Sequence, residues 1–513
     1  MRITTLCAVS LLLAALPARA LAGQQLTVDT TGVGALMDEG MNRSEAMRNL
    51  GYLTDVIGPR LTGSPATRLA NDWTAKRFQD YGLTTRLEQW NFGGTWTRGP
   101  MWARLVVPRV HDLVAASWAW SPGTGGGGKP VRGPVARIDA RTPESLAVYA
   151  ARVRGAWVMV TPPSFVWNND GPAMTAADSQ RQREFFRSLQ PPQNVDSARR
   201  AQLQQFQNDL PFVLKNLGAL GQLVDAGKEQ GLLNMSGSPN RIYPHPRIVI
   251  AHEDYAMLDR LIAAGTIPHV EASVSNTMTT DSVPQWNTVA EVPGTEHPNQ
   301  VVIVGAHLDS WDLGTGASDN GTGSIATLEA ARIIARSGVK PRRTIRFILF
   351  TGEEQGLIGS RQYAAAHADE ADSIQAVIVL DNGVGAITGQ ALQGRPDLYG
   401  LWRSILAPLR SLHADTVTDA MKGGTDHLSF LPYGIPGFNF NQISRGYNHT
   451  HHSQSDTWDK AIDWDLRQAS TVMAVTALEL ANLSGMIPRG PTRSVNPVTA
   501  TRISDSLIVR SRR

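Results

Sequence analysis

The sequence predicts an α/β protein: a mixed sheet with helices on both faces, interrupted by an inserted β-rich segment. Three observations predict it. From about residue 285 to 485, short β-branched runs alternate with helical stretches. Three of those runs lead into a histidine or a carboxylate residue. Between about 105 and 280 the pattern changes to short apolar runs broken by Gly and Pro, a strand-and-turn signature.

The chain has 513 residues, 42% hydrophobic and 18% charged, with 47 Gly and 30 Pro. That is a globular balance, far from disordered or collagen-like compositions, and long enough for roughly two to four domains. A net charge of +3 without a long basic run gives no sign of a nucleic-acid binder, and no nucleic-acid partner is expected. The one cysteine, Cys7, excludes a disulfide framework and a Cys-rich zinc finger. Residues 1–22 read as a signal peptide: Arg2, an apolar run from Leu6 to Leu16, then small residues, with cleavage after Ala20 or Ala22. The run is shorter than the ~20 residues of a membrane span. A secreted or periplasmic protein is expected, without a stable membrane anchor and, once cleaved, without a cysteine nucleophile.

Residues 23–104 form the first part of the main domain, with helices over 44–56 and 64–82. In the second, Ala66, Leu69, Ala70, Trp73 and Phe78 recur at near-helical spacing. Between them, 57–64 is a turn-rich loop. The insert, 105–280, has strands such as Ala103–Val107 at its start and Ala156–Val160. Its stretch 174–232, rich in Gln and Arg, reads as surface helices or partly ordered loop. Gly123–Lys129 has the spacing of a phosphate loop, but Pro130 replaces the Ser or Thr and no helix follows, so a plain loop is predicted. The main domain resumes over 281–488, with strands Val301–Val304, Ile345–Phe350 and Ala376–Leu380. A helix covers Ile325–Ile334, capped by Ser318 or Asp319. Residues 489–513 are an Arg- and Ser-rich tail.

The chemistry follows the strands. His307 and Asp309 come after the first, Glu353 and Glu354 after the second, Asp381 after the third. In an open α/β sheet, sites form at the carboxyl ends of strands. Asp319 precedes a helix, and His449, His451 and His452 lie on a late loop with Asp456. Each alone is commonly a cap, a solvated helix start or a surface loop; their joint occurrence at successive strand ends is hard to reach by chance. Imidazole and carboxylate without thiolate suit zinc, and also cobalt or manganese. The set exceeds what one tetrahedral catalytic zinc uses and suits two metals sharing a carboxylate. Of two adjacent glutamates, one can ligate while the other carries a proton from water to a leaving amine.

These residues, as His307-Leu308-Asp309-Ser310, Ser318-Asp319-Asn320-Gly321, Glu353-Glu354, Asp381 and His452, resemble the motifs of the co-catalytic di-zinc exopeptidases, which include bacterial leucyl aminopeptidases and glutamate carboxypeptidases. Longer stretches, including Trp311-Asp312, Gln355-Gly356 and Gly434-Ile435-Pro436-Gly437, are similar to the plasma glutamate carboxypeptidase branch. The resemblance implies the zinc-exopeptidase, phosphorylase/hydrolase-like fold with a protease-associated-like insert. It implies two zinc ions, with cobalt or manganese as substitutes, a peptide substrate, and a homodimer as one oligomeric option. Position by position, it implies that Asp319 bridges the metals, that His307 and Asp381 complete one site, and that Glu354 and His452 complete the other. Glu353 is then the base that acts on a metal-bridged water, and Asp309 orients the His307 imidazole. His452 is favoured over His451 because Asp456 follows it by four positions. The implied activity is removal of an N-terminal residue or splitting of dipeptides. The alternatives are a carboxypeptidase of the same chemistry, a glutaminyl cyclase-like amidohydrolase and a non-catalytic receptor-like relative, the last disfavoured by the filled ligand positions. The insert is expected to wall the pocket without supplying chemistry, its His245 and His252 following no ligand spacing.

Overall fold

Eight strands build the main sheet of the computed structural model: β1 (Thr84–Phe92), β2 (Val283–Val292), β3 (His297–His307), β4 (Arg343–Phe350), β5 (Ile374–Val379), β6 (Ile387–Ala391), β7 (Thr416–Thr418) and β8 (Gly437–Gln442). The structure describes residues 26–166, 172–190, 192 and 194–489; the signal peptide read over 1–22 and the tail beyond Arg489 lie outside them. The spatial order is β1-β2-β4-β3-β5-β8-β6-β7. The centre, β4-β3-β5-β8, is parallel, and the antiparallel pair β1-β2, joined through the insert, adds to it antiparallel. Every residue of β4 and β5 is buried, the polar Arg343, Thr344, Arg346 and Gln375 included, which is why these strands show no alternation of apolar and polar positions.

Helices α1 (Val33–Asn42), α2 (Pro65–Asp80), α3 (Thr322–Ser337) and α4 (Asp463–Asn482) share the largest core cluster with one sheet face, through Leu36, Phe78, Ile325, Val304, Phe347 and Val472. The other face packs Ile303, Ile348, Phe350, Val377 and Phe430. Ser64 caps α2, accepting from the Thr67 N–H at 3.3 Å, with Pro65 at the first helical position. The start of α3 differs from the sequence expectation. Its N-cap is Gly321, and Ser318 and Asp319 belong to a separate turn, Ala317–Gly321. Asp319 is released from capping, and its carboxylate is left for other partners.

The insert holds a second eight-stranded sheet, in the order His111–Asp112, Met101–Val107, His269–Val274, Val131–Arg137, Trp157–Met159, Gly221–Asp225, Arg247–Ile250, Ala115–Ser117. Its first long strand begins at Met101, ahead of the boundary placed at 105. Four of its strands, from Val131–Arg137 to Arg247–Ile250, run parallel. One of these, Gly221–Asp225, follows helices Ala176–Leu189 and Ser197–Asn216 inside the stretch read as helices or loop. Gly125–Gly128 all take positive φ and no helix follows, so the glycine run is a turn. The two sheets share an aromatic core: Trp120 is fully buried, 6.0 Å from Phe92 and 6.3 Å from Trp311. Beside it, Arg98 donates to both carboxylate oxygens of Asp312 at 2.8 Å.

A cluster at the edge of the main sheet gives a test of the fold. His367 bonds Glu88 on β1 (Nε2–Oε2 2.9 Å) and Glu370 (Nδ1–Oε1 2.8 Å), and stacks on Tyr363. The bond to Glu88, reinforced by Glu370, raises its pKa above 6.5. A histidine raised in the fold contributes stability that is complete below its unfolded pKa and is lost as pH rises through the folded one. Wild type should therefore lose stability relative to His367→Gln between about pH 6 and 9, measured as urea midpoints at each pH. Parallel profiles would show that this bridge contributes nothing.

Candidate metal centre

Because β4, β3 and β5 are neighbours, about 4.8 Å apart, their carboxyl ends bring His307, Glu353-Glu354 and Asp381 to one place. Asp319 arrives from the turn before α3, and His451 and His452 follow a helical turn, Tyr447–Thr450. His307 Nε2 lies 3.3 Å from Asp319 Oδ1 and 3.5 Å from Asp381 Oδ1. His452 Nε2 lies 3.0 Å from Glu354 Oε2 and 3.5 Å from Asp319 Oδ2. The two oxygens of Asp319 thus face different groups of candidate ligands. His451 Nε2 is 3.8 Å from Asp319 Oδ2 and, unlike His452, is in no ion pair with Glu354. Ligand atoms of His307, Asp319 and Asp381 all lie within 4.8 Å of one another, as do those of Asp319, His451 and His452.

These residues fit cations. Asp319 Oδ2, Glu354 Oε1 and Asp381 Oδ1 are buried and have no hydrogen-bond partner among the described residues. Burial, with Asp381, Glu354 and Asp426 around it, pushes the Glu353 carboxyl well above the usual range. Burial and Asp319 do the same to Glu354. Burial opposes ionisation of Asp319 too, yet His307, His451 and His452 hold it below the usual range. Packed carboxylates with orphaned oxygens are costly unless positive charge joins them. The imidazole and carboxylate donors match zinc.

The surrounding residues hold the backbone. The Asp309 carboxylate accepts from Thr62 Oγ1 (2.7 Å) and from the Glu353 and Glu354 N–H groups (3.3 Å each). His307 Nδ1 lies 3.0 Å from the Asp309 carbonyl oxygen, whereas the carboxylate is 3.6 Å away. The backbone carbonyl therefore orients the ring. The Asp309 carboxylate also faces the ring, within ion-pair reach of Nδ1, while it accepts from the glutamate turn. Asp456 accepts from the Ser318 N–H (2.5 Å) and the Asp319 N–H (3.1 Å). The fully buried Arg60 donates to the carbonyls of Leu308 (2.7 Å), Thr315 (2.8 Å) and Gly316 (2.8 Å). Burial pushes its pKa down to about 10 against the pull of Asp456 and Asp309, which leaves it charged at neutral pH.

Sequence reasoning passed over Arg60 and Thr62, which sit in an unpatterned loop, and used Asp456 only as a spacing mark. Tyr447 reaches the site: its ring lies 5.1 Å from that of His451 and so close to Gly383 that a Cβ there would stand 2.8 Å from it. Asp426 and His427 are fully buried nearby, their pKa values pushed by burial up to about 7 and down to about 4. His245 bonds the Pro246 carbonyl (3.1 Å) and His252 pairs with Asp225 (3.0 Å), both within the insert. A hollow of about 530 Å³ against Asp139, Arg141 and Phe186 contains none of the predicted site residues.

Residues 287–478 match Peptidase family M28. Carboxypeptidase Q of Rattus norvegicus is 28% identical over 458 residues, 88% of each chain. That of Homo sapiens is 28% identical over 466 residues, 89% of each chain. Among solved structures, a Peptidase M28 precursor from Shewanella amazonensis SB2B superposes with a TM-score of 0.72 at 22% identity, over 90% of this chain and 99% of that one. An aminopeptidase from Aneurinibacillus sp. strain AM-1 does so with a TM-score of 0.57 at 19% identity, over 89% and 98%. These two share the α/β fold. The segment that matches Peptidase family M28 contains every predicted ligand, and the carboxypeptidase Q relatives align along most of the chain.

Proposed function

We propose that the protein is a secreted or periplasmic two-metal exopeptidase that hydrolyses short peptides as an aminopeptidase or dipeptidase. The observation that supports this best is the two-sided placing of Asp319, one oxygen toward His307 and Asp381 and the other toward His452 and Glu354. In this reading His307, Asp381 and Asp319 hold one zinc, and Glu354, His452 and Asp319 the second, with cobalt or manganese as substitutes. When bound, such ions supply Lewis acidity toward water and the scissile carbonyl, and a hold on a free substrate terminus. Glu353 takes the proton of the attacking water and delivers it to the leaving amine; its raised proton affinity suits a group that must both accept and donate. Asp309 keeps Glu353 and Glu354 on one turn, so ligand and base keep their spacing.

Export rests on the leader read over 1–22; among the described residues no helix is long and apolar enough to cross a membrane. A second reading has a specific observation behind it. Relatives aligned over 88% of the chain are named carboxypeptidases, so the same chemistry could address a C-terminal residue. An aminoacyl anilide and an N-blocked dipeptide separate the two. Cleavage of the anilide alone supports the first reading, cleavage of the blocked dipeptide alone the second, and cleavage of neither these nor a free dipeptide sinks both.

Glu353→Gln should keep its metals, because the base is not a ligand, while turnover falls by about 10²–10⁴. Elemental analysis and kcat check this, and retention of more than about a tenth of activity would refute the base assignment. Asp319→Ala should weaken both metals together, and His452→Ala mainly one. Loss of a single metal in Asp319→Ala would contradict the bridge. Exhaustive chelation should abolish activity and zinc or cobalt restore it; full activity in metal-free protein is the opposing result.

A further inference from the structure

We propose that residues 228–235 of the insert are a positioning element for His452, so that the second metal site is completed only by the insert. The inference rests on the two-metal reading above. Lys228 is buried, and its ammonium donates to the Asn448 carbonyl. Gln454 Nε2 donates to the Gly231 carbonyl (3.1 Å), and its Oε1 accepts from the Leu233 N–H (2.8 Å). The Met235 N–H donates to the carbonyl of His452 itself at 2.9 Å. The histidine loop is thus held before His452, at it, and after it.

Both partners need these bonds. Residues 232–235 have no regular secondary structure, yet Leu233 and Met235 are buried, so their N–H groups need acceptors. The histidine loop supplies them. His452 has a φ of 57°, in the left-handed region that a residue with a Cβ keeps only when its surroundings enforce it. Its ring is confined as well: His451 stacks on it at 3.7 Å, and Trp311 meets it at 5.8 Å and 62°. Trp311 in turn lies against Trp120 of the insert. With carbonyl and ring fixed, Nε2 remains directed at Glu354 Oε2, 3.0 Å away. No residue of 228–235 is itself placed as a ligand, so the segment acts through His452. The insert is then more than a wall at the pocket mouth.

The test uses the full chain with Lys228→Met, Gln454→Leu and the two combined. Lys228→Arg restores a donor, and Trp102→Ala, 40% exposed in the insert, is a control away from the contact. Two quantities are read: zinc affinity by competition with a chelator, and amide hydrogen exchange across residues 448–456 without added metal. In the combined variant the first zinc should be retained and the second weakened by about 10–100-fold. Exchange at 451–454 should accelerate, and Lys228→Arg should behave like wild type. Wild-type affinity at both sites in the combined variant overturns the proposal, as does equal weakening of both in a folded protein. If wild type binds no metal at all, the two-metal reading falls. Hydrogen exchange then still decides: unchanged exchange in the combined variant overturns the positioning role.

Discussion

A buried carboxylate that faces two groups of ligands at once sets the terms for the rest of this site. Asp319 stands among Glu353, Glu354 and Asp381, acids that repel one another where little water reaches them. Their outer oxygens cannot be quenched by ordinary hydrogen bonds without blocking the cations they suit. The fold answers by holding the ligands through their backbones. Asp456 takes the Ser318 and Asp319 N–H groups, and Asp309 takes those of Glu353 and Glu354. Asn320 joins the Leu380 carbonyl, next to Asp381, to the Gly323 N–H. Orphaned oxygens remain on Asp319, Glu354 and Asp381, the residues that would ligate.

Arg60 shows how this holding is itself stabilised. A guanidinium without a direct carboxylate partner is costly to bury. Here it directs its donors to carbonyls at both ends of the loop that carries Asp309 and leads into the Asp319 turn. The surrounding carboxylates of Asp456, Asp309, Glu354 and Asp319 keep it charged from a distance. The positive charge offsets part of the acid repulsion while its geometry fixes the loop, so one residue serves both ends.

What was legible in the sequence follows from this division. The residues offered as ligands announce themselves locally, because each must end a strand or stand on a short loop: His307 closes β3, and Asp381 comes just after β5. Their holders do not, because Arg60 and Thr62 find their partners about 250 positions away, and Arg60 bonds mainly backbone atoms, which carry no residue signature. The capping rule misread Ser318 and Asp319 for a related reason. Local propensity favours a cap, but Asp456, distant in sequence, claims their N–H groups first. In the insert, the short parallel strand Gly221–Asp225 was hidden behind a 20-residue polar helix, and a five-residue run is too short for periodicity to identify.

The same distances bear on how the centre forms. Its parts come from residues near 60, 230, 310, 320, 354, 381 and 452, and contacts of such separation are made late because chain closure must precede them. The insert cannot be a loosely hinged lid in such an assembly. Trp120 and Met235 of the insert share a core cluster with Trp90, Phe92, Trp96 and Trp311, and Trp311 touches His452. Swinging the insert away would expose that aromatic core and remove a wall from His452 together. The sheet ends, the aromatic junction and the histidine loop thus form one packed unit.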